Sequence, residues 1–184
     1  MKIIYLHGLG SNGQSSTARG LSELGFDVIS PDYRPQFYNE SLEQLVQLVE
    51  HHQPVLIAGT SMGGYYALKL YERFVIPTIA INPCFEPATL LQKYLDQPAH
   101  DYVTDTPIPF VQAMLDAFLP TASAHGRQPD TLQIVIGMND DVIPAAQQQQ
   151  FCIEQGWNWN EVDWGHRVDD VELLGEMINR FKSQ

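Results

Sequence analysis

The chain has 184 residues, 44% of them hydrophobic and 17% charged, which suits one globular domain with a full core. Its formal net charge of −12, from 22 acidic and 10 basic residues, argues against polyanionic partners such as nucleic acid or an anionic membrane surface. Only two cysteines are present, Cys84 and Cys152, without C-x-x-C spacing, and no run of 18 apolar residues occurs. The apolar start, Met1 to Leu6, is too short for a signal peptide, so the expectation is a cytoplasmic protein in a reducing compartment.

Ile3-Ile4-Tyr5-Leu6 is an apolar run without alternation, as expected of a strand buried on both faces. It leads into His7-Gly8-Leu9-Gly10-Ser11-Asn12-Gly13, a loop of turn formers. A helix is predicted over 14–24, stopping at Gly25, then a second strand over 26–29, ended by Pro31. Ser41 and Gln44 have capping-box spacing, and Leu42, Leu45, Val46 and Val49 share one helical face, so a helix is predicted from Ser41. Val55 to Ala58 is the third strand, residues 63–74 the next helix, and Thr78 to Ile81 the fourth strand.

The stretch from about 86 to 130 differs. It holds six prolines (87, 98, 107, 109, 120 and 129), two helical pieces near 88–95 and 108–119, and no strand pattern. It is too short for its own core and reads as a short helical insertion in a single domain spanning 1–184. Leu132 to Ile136 is the fifth strand, about 144–155 a helix, and 157–163 a sixth strand whose polar residues suit a sheet edge. Val171, Leu174, Ile178 and Phe181 mark the last helix. Strands alternating with helices imply an α/β fold: a mostly parallel sheet of about six strands with helices on both faces. Ligands bind at the carboxyl ends of such strands. The loops at those ends contain His7-Gly8-Leu9, Ser61, Asp140 and His166.

Gly59-Thr60-Ser61-Met62-Gly63 stands between the third strand and the following helix, the context of a nucleophile elbow. A serine hydroxyl needs a base within hydrogen-bond reach, and the base needs an orienting partner. Among six histidines, His166 stands after the last strand and before the last helix. His51 and His52 close a helix at the other end of the sheet, and His100 and His125 belong to the insertion. The acid should follow the penultimate strand, where Asp140 and Asp141 both stand. Asp140 is preferred, although either could merely cap the next helix. The order serine, aspartate, histidine is that of α/β-hydrolases.

On these residues the chain resembles the α/β-hydrolase superfamily over nearly its whole length. His7-Gly8, Gly59 to Gly64 and Trp164-Gly165-His166-Arg167 match its pattern. Within the superfamily it is similar to the small bacterial YqiA-like esterases, through Ile81-Asn82-Pro83, Pro87 and Leu90-Leu91-Gln92-Lys93-Tyr94-Leu95. The superfamily usually carries two further strands before the first one seen here, which implies a minimal sheet of six parallel strands. The resemblance also implies an oxyanion hole made by the backbone N–H groups of Met62 and Leu9, with His7 supporting the loop.

The expected function is a serine hydrolase acting on a small-molecule carboxylic ester, with Ser61 as nucleophile, His166 as base and Asp140 as orienting acid. Thioesters and amides suit the same machinery. The short insertion suggests small acyl groups, and Phe85, Phe110 and Phe118 are candidates for lining an acyl pocket. Cys84 reads as a buried small hydrophobe. No metal or cofactor is expected, and nothing in the sequence speaks to oligomeric state. Two alternatives stand beside this reading. One is a non-catalytic binding domain on the same fold. The other is a dinucleotide loop at Gly8, Gly10 and Gly13, whose spacing lacks the acidic ribose partner and a helix starting within the motif.

Overall fold

Residues 1–121 and 130–181 are described by a computed structural model of the chain. His125 and Pro129, noted above within the insertion, lie outside the described residues. In chain order the main sheet is built from β1 (Lys2–Leu6), β2 (Asp27–Ile29), β3 (Leu56–Thr60), β4 (Thr78–Ile81), β7 (Leu132–Gly137) and β8 (Asn160–Val162). The strands lie in the order β2-β1-β3-β4-β7-β8, and every neighbouring pair is parallel. The intervening β5 (Ala99–Asp101) and β6 (Thr106–Ile108) form a separate antiparallel hairpin. The unbroken apolar runs of the inner strands follow from burial on both faces: Ile3, Ile4, Leu6, Ile57, Ala58 and Ile79 expose no surface.

Helices cover both faces. On one, α1 (Ser16–Glu23) and α7 (Val171–Arg180) pack together over Ile3, Tyr5, Leu56 and Ile79. On the other, α2 (Tyr38–His52) and α3 (Met62–Phe74) enclose a core with Ile4, Leu6, Ile57 and the tyrosines Tyr33, Tyr38, Tyr65 and Tyr66. The remaining helix of the frame, α6 (Ala145–Gln155), packs with β7 over Phe85 and Trp157. The crossover order and the burial therefore agree with the α/β expectation.

Local differences from the sequence reading have local causes. Ser15 caps α1 by accepting from the Ala18 N–H at 3.3 Å, so that helix starts at Ser16. Ser41 is not a cap. Its helix begins at Tyr38 with no side-chain cap, and the Ser41 hydroxyl donates back to the Arg34 carbonyl at 2.7 Å. The sixth strand is only Asn160–Val162, because the Trp157 N–H is used in closing α6 onto the Cys152 carbonyl.

The insertion is less helical than expected. Its helices are α4 (Pro87–Leu90), a 3-10 turn (Leu91–Tyr94) and α5 (Gln112–Asp116), with the β5–β6 hairpin between them. Strands of three residues, one flanked by Pro98 and the other containing Pro107, carry no readable alternation. The hairpin docks on the loop after β1, where the Tyr102 N–H donates to the Gly10 carbonyl at 2.9 Å. The far end of the insertion is held by three side-chain bonds. Tyr65 Oη donates to Leu119 O at 2.6 Å, Lys69 Nζ to Pro120 O at 3.0 Å, and Thr121 Oγ1 to Phe85 O at 2.8 Å.

Gly10 has a φ of 70°, and a Cβ there would run into the His100 carbonyl oxygen. Gly10→Ala therefore adds a left-handed penalty of about 1 kcal/mol and a clash with hairpin backbone. Amide hydrogen exchange at Tyr102 and its hairpin neighbours should accelerate while sheet amides keep their protection. Unchanged protection at Tyr102 would show that the docking does not depend on this glycine.

Candidate active site

Ser61 stands between β3 and α3 with φ 59° and ψ −119°, a left-handed backbone that a side-chain-bearing residue rarely adopts. Such a conformation costs on the order of 1–3 kcal/mol and persists only where the surroundings hold it. Here they do. The Ser61 N–H donates to Ile81 O at 2.9 Å, and Ser61 O accepts from Tyr65 N–H and Cys84 N–H, both at 3.1 Å. The flanking glycines serve space rather than angle. Neither has a positive φ, but a Cβ on Gly59 would overlap the Gly63 carbonyl, and one on Gly63 would overlap the Leu6 carbonyl.

His166 and Asp140 meet directly, although 26 residues separate them. His166 Nδ1 lies 2.9 Å from Asp140 Oδ2 and 3.0 Å from Oδ1, so the imidazole donates to a carboxylate. The Asp140 side chain is fully buried. Oδ1 also accepts from the N–H groups of Val142 at 2.8 Å and Ile143 at 2.9 Å, and Gln148 Nε2 reaches Oδ2 at 3.2 Å. Burial alone would raise the Asp140 carboxyl, but His166 and the two backbone donors outweigh it and hold it below the ordinary range. Asp141 is exposed at the cavity rim and makes no such bond.

The loop carrying His166 is pinned by a residue that the sequence reading named only within the Ile81-Asn82-Pro83 resemblance, without a role. Asn82 is completely buried and has φ 42°. Its Oδ1 accepts from Gly137 N–H at 2.6 Å, while Nδ2 donates to Gly165 O at 2.9 Å and His166 O at 3.2 Å. One amide thus joins the ends of β4 and β7 to the histidine loop. Gly137 lets that loop cross, since a Cβ there would lie 2.6 Å from Gly165 O and 2.7 Å from Trp164 O. Gln148 lies in the helix predicted over about 144–155, where it was given no role. It is buried and braces Asp140, with a second bond to Ile143 O at 2.8 Å. An asparagine beside the proline that closes a strand was the one available hint of the first; the second left none.

Ser61, His166, Leu9 and Met62 line one cavity of about 600 Å³ at the carboxyl edge of the sheet. No hydrogen bond joins Ser61 Oγ to His166 in this structure. Among the described residues, the Leu9 and Met62 N–H groups have no acceptor within the protein, and Met62 opens α3, where unpaired N–H groups favour negative charge. Gly8 brings the first loop against the serine: a Cβ there would sit 3.2 Å from Ser61 Cβ. His7 supports that loop from beneath. It is buried, its ring lies 4.5 Å from that of Tyr33, its Nδ1–H donates to Gly8 O at 2.8 Å, and burial pushes it toward the neutral form.

Other candidates fall elsewhere. Phe85, Phe110 and Phe118 do not line the cavity. They are buried in the cores beside α6 and α3, because the direction of an aromatic side chain is not readable from its position in a loop. Cys84 touches the cavity, but it is buried and burial pushes its thiol well up, away from the reactive thiolate. His51 and His52 close α2, and His100 pairs with Asp105 at 3.2 Å. The Gly8-Gly10-Gly13 loop precedes α1 rather than opening it, and its Gly13 N–H donates to Asp32 at 2.7 Å. Among the described residues no cluster of candidate metal ligands occurs, and no helix is long and apolar enough to cross a membrane.

Asn82→Ala removes three hydrogen bonds and leaves the buried Gly137 N–H without a partner, a cost of roughly 1–3 kcal/mol. The expected result is a lower denaturation midpoint together with loss of the low-field proton NMR signal of the His166–Asp140 hydrogen bond. Retention of that signal at full strength would show that Asn82 does not position the histidine.

Comparison with known proteins follows the same lines. The chain is similar to the UPF0227 protein YcfP of Salmonella paratyphi A, with 24% identity over 195 residues, covering 98% of each chain. Among solved structures it superposes on an esterase of Pyrococcus furiosus with a TM-score of 0.65 at 17% identity, covering 99% of this chain and 81% of that one. FphF, a fluorophosphonate-binding serine hydrolase of Staphylococcus aureus, superposes with a TM-score of 0.57 at 20% identity, covering 97% and 80%. At such identities the structures establish the fold, which is that of the α/β-hydrolases. Residues 2–182 match the family described as "Uncharacterised protein family (UPF0227)", and the chain belongs to that family.

Proposed function

We propose that the chain is a serine hydrolase that cleaves carboxylic esters of small acyl groups through an acyl-enzyme. The observation that carries this reading is His166, held by the buried Asp140, on the same cavity as Ser61 and the unengaged backbone N–H groups of Leu9 and Met62. In this reading Ser61 Oγ attacks the ester carbonyl carbon as its proton passes to His166 Nε2. Asp140 holds the Nδ1–H tautomer and stabilises the imidazolium. The carbonyl oxygen, now negative, is held by the N–H groups of Leu9 and Met62, each worth on the order of a hundredfold in rate. Collapse breaks the bond to the alcohol oxygen, which takes the proton from His166. Water activated by His166 then releases the acid and regenerates Ser61.

The absence of a Ser61–His166 hydrogen bond is compatible with this scheme, because such bonds in unliganded sites are often long and tighten when substrate binds. The preference for small acyl groups rests on the shortness of the insertion, whose α4 and 3-10 turn contribute Leu90, Leu91 and Tyr94 to the cavity lining.

A fluorophosphonate probe should label the wild-type chain and not Ser61→Ala. His166→Ala and Ser61→Ala should each lower kcat on a short-chain nitrophenyl ester by about 10⁴-fold or more. Labelling of Ser61→Ala, or none of the wild type, would overturn the mechanism. Acetyl and butyryl nitrophenyl esters should be turned over faster than long-chain ones, and comparable rates across the series would remove the small-acyl assignment.

A further inference from the structure

The cavity at the carboxyl edge of the sheet takes its lining from elements on both faces, which gives it two sides, called arms below. The arm on the side of α3 and the insertion is walled by Cys84, Leu90, Leu91, Lys93, Tyr94 and Ala99. The arm on the side of α1 and α7 is of opposite character. It is lined by Ser11, Ser15, Ser16 and Thr17 and by Arg167 and Asp169, with the Ser15 hydroxyl engaged as the α1 cap and Asp169 accepting from Gly165 N–H. The Tyr5 hydroxyl, bonded to Thr60 Oγ1 at 2.9 Å, lines the cavity beside the nucleophile.

The chemistry decides which arm takes which half of an ester, given the serine-hydrolase reading above. His166 hands its proton to the leaving oxygen, so the alcohol must lie on the histidine side of Ser61. His166 continues directly into Arg167, Val168 and Asp169 and then α7, and α7 packs on α1. The alcohol therefore enters the serine-lined arm and the acyl group the apolar one.

The groups in that arm specify a kind of alcohol. The Ser11 and Ser16 hydroxyls have no hydrogen-bond partner among the described residues, and the Arg167 guanidinium is in no ion pair. Donors and acceptors are mixed, since the carboxylates of Asp141 and Asp169 line the same region as the guanidinium. An alkyl or aryl alcohol would desolvate these groups without pairing them, which is unfavourable. A phosphorylated alcohol would meet two carboxylates on a chain of net charge −12. Hydroxyl groups, which both donate and accept, match the mixture. Tyr102 completes the arm. The hairpin sets it against Gly10, its ring lies on the cavity wall, and the Arg167 guanidinium stands 5.3 Å from the ring centre. The guanidinium and His100 take part of the ring, and what remains of this largely exposed aromatic surface suits the C–H groups of a sugar ring.

We propose that the arm formed by the α1 N-terminal serines, Arg167, Asp169 and Tyr102 binds the alcohol half of the ester, and that this alcohol is polyhydroxylated, a sugar or related polyol. The ester bond between a short acyl group and one polyol oxygen breaks, His166 protonates that oxygen, and water later releases the acyl group as a carboxylic acid.

The test compares kcat/KM of the full chain on 6-O-butyryl glucose and monobutyryl glycerol with that on ethyl butyrate and on butyryl glycerol phosphate. The polyol esters should lead ethyl butyrate by about tenfold or more, as expected where a site built to pair hydroxyls meets a substrate lacking them. Tyr102 is 67% exposed, so Tyr102→Ala leaves the core intact. That variant, and Ser11→Ala combined with Ser16→Ala, should shrink the polyol-to-ethyl ratio mainly by raising KM for the polyol ester. Equal turnover of ethyl butyrate, an equal loss on both esters in the variants, or a preference for the phosphorylated ester would overturn the polyol assignment while leaving the Ser61 mechanism standing. Hydrolysis of none of the four by a chain that the fluorophosphonate probe labels would also overturn it. Failure of both hydrolysis and labelling would overturn the hydrolase reading itself.

Discussion

Backbone resting on backbone, with no side chain between, is the constraint on which the rest of the site depends. Gly63 lies against the Leu6 carbonyl, Gly59 against Gly63, and Gly137 beneath the carbonyls of Trp164 and Gly165. These approaches draw the ends of β1, β3 and β7 and the start of α3 closer than any Cβ would allow. The unusual backbone of Ser61 is then a consequence. It is held by Ile81 on one side and by Tyr65 and Cys84 on the other, so its energetic cost is offset by the sheet rather than by the turn itself. The same closeness puts Leu9 on the cavity that Ser61 lines, because Gly8 can lie almost in contact with the serine.

The acidic partner of His166 shows how burial and charge are reconciled. A carboxylate without exposed surface is unfavourable unless its lone pairs are filled. Asp140 fills them with two backbone N–H groups, an imidazole and the Gln148 amide. A group so satisfied stays ionised and fixes the direction of the ring it accepts from. The neighbouring Asp141, one residue along, is turned to solvent, and the N–H groups of Val142 and Ile143 converge on Asp140 alone.

Much of this was legible in the sequence, and for a definite reason. Parallel strands buried on both faces leave apolar runs such as Ile3 to Leu6, and each run ends where a loop begins, so the residues at the sheet's carboxyl edge can be named from punctuation alone. Ser61, Asp140 and His166 came from that rule. What stayed hidden depends on contacts distant along the chain. Asn82 acts on residues 83 and 84 positions away, and Gln148 looks like its neighbours in a glutamine run until α6 is seen to turn it inward. Phe85, Phe110 and Phe118 were placed in the right region and turned the wrong way, since only packing decides which wall an aromatic ring joins. The β5–β6 hairpin escaped because its strands are too short, and too near prolines, to show a period.

The insertion is fastened at its far end by Tyr65, Lys69 and Thr121, with bonds that use main-chain carbonyls as acceptors on the insertion side at Leu119 and Pro120. Carbonyl acceptors make no demand on side-chain identity. At those two points the frame recognises a chain path and not a sequence, while Thr121 adds one side-chain requirement through its hydroxyl. Closing a longer or shorter span between the same points costs little, since each doubling of loop length adds only about 0.6 kcal/mol. The roof over the cavity is therefore a replaceable module. Evolution or an engineer can lengthen, shorten or exchange it to change what reaches Ser61, while α3 and the sheet beneath remain as they are.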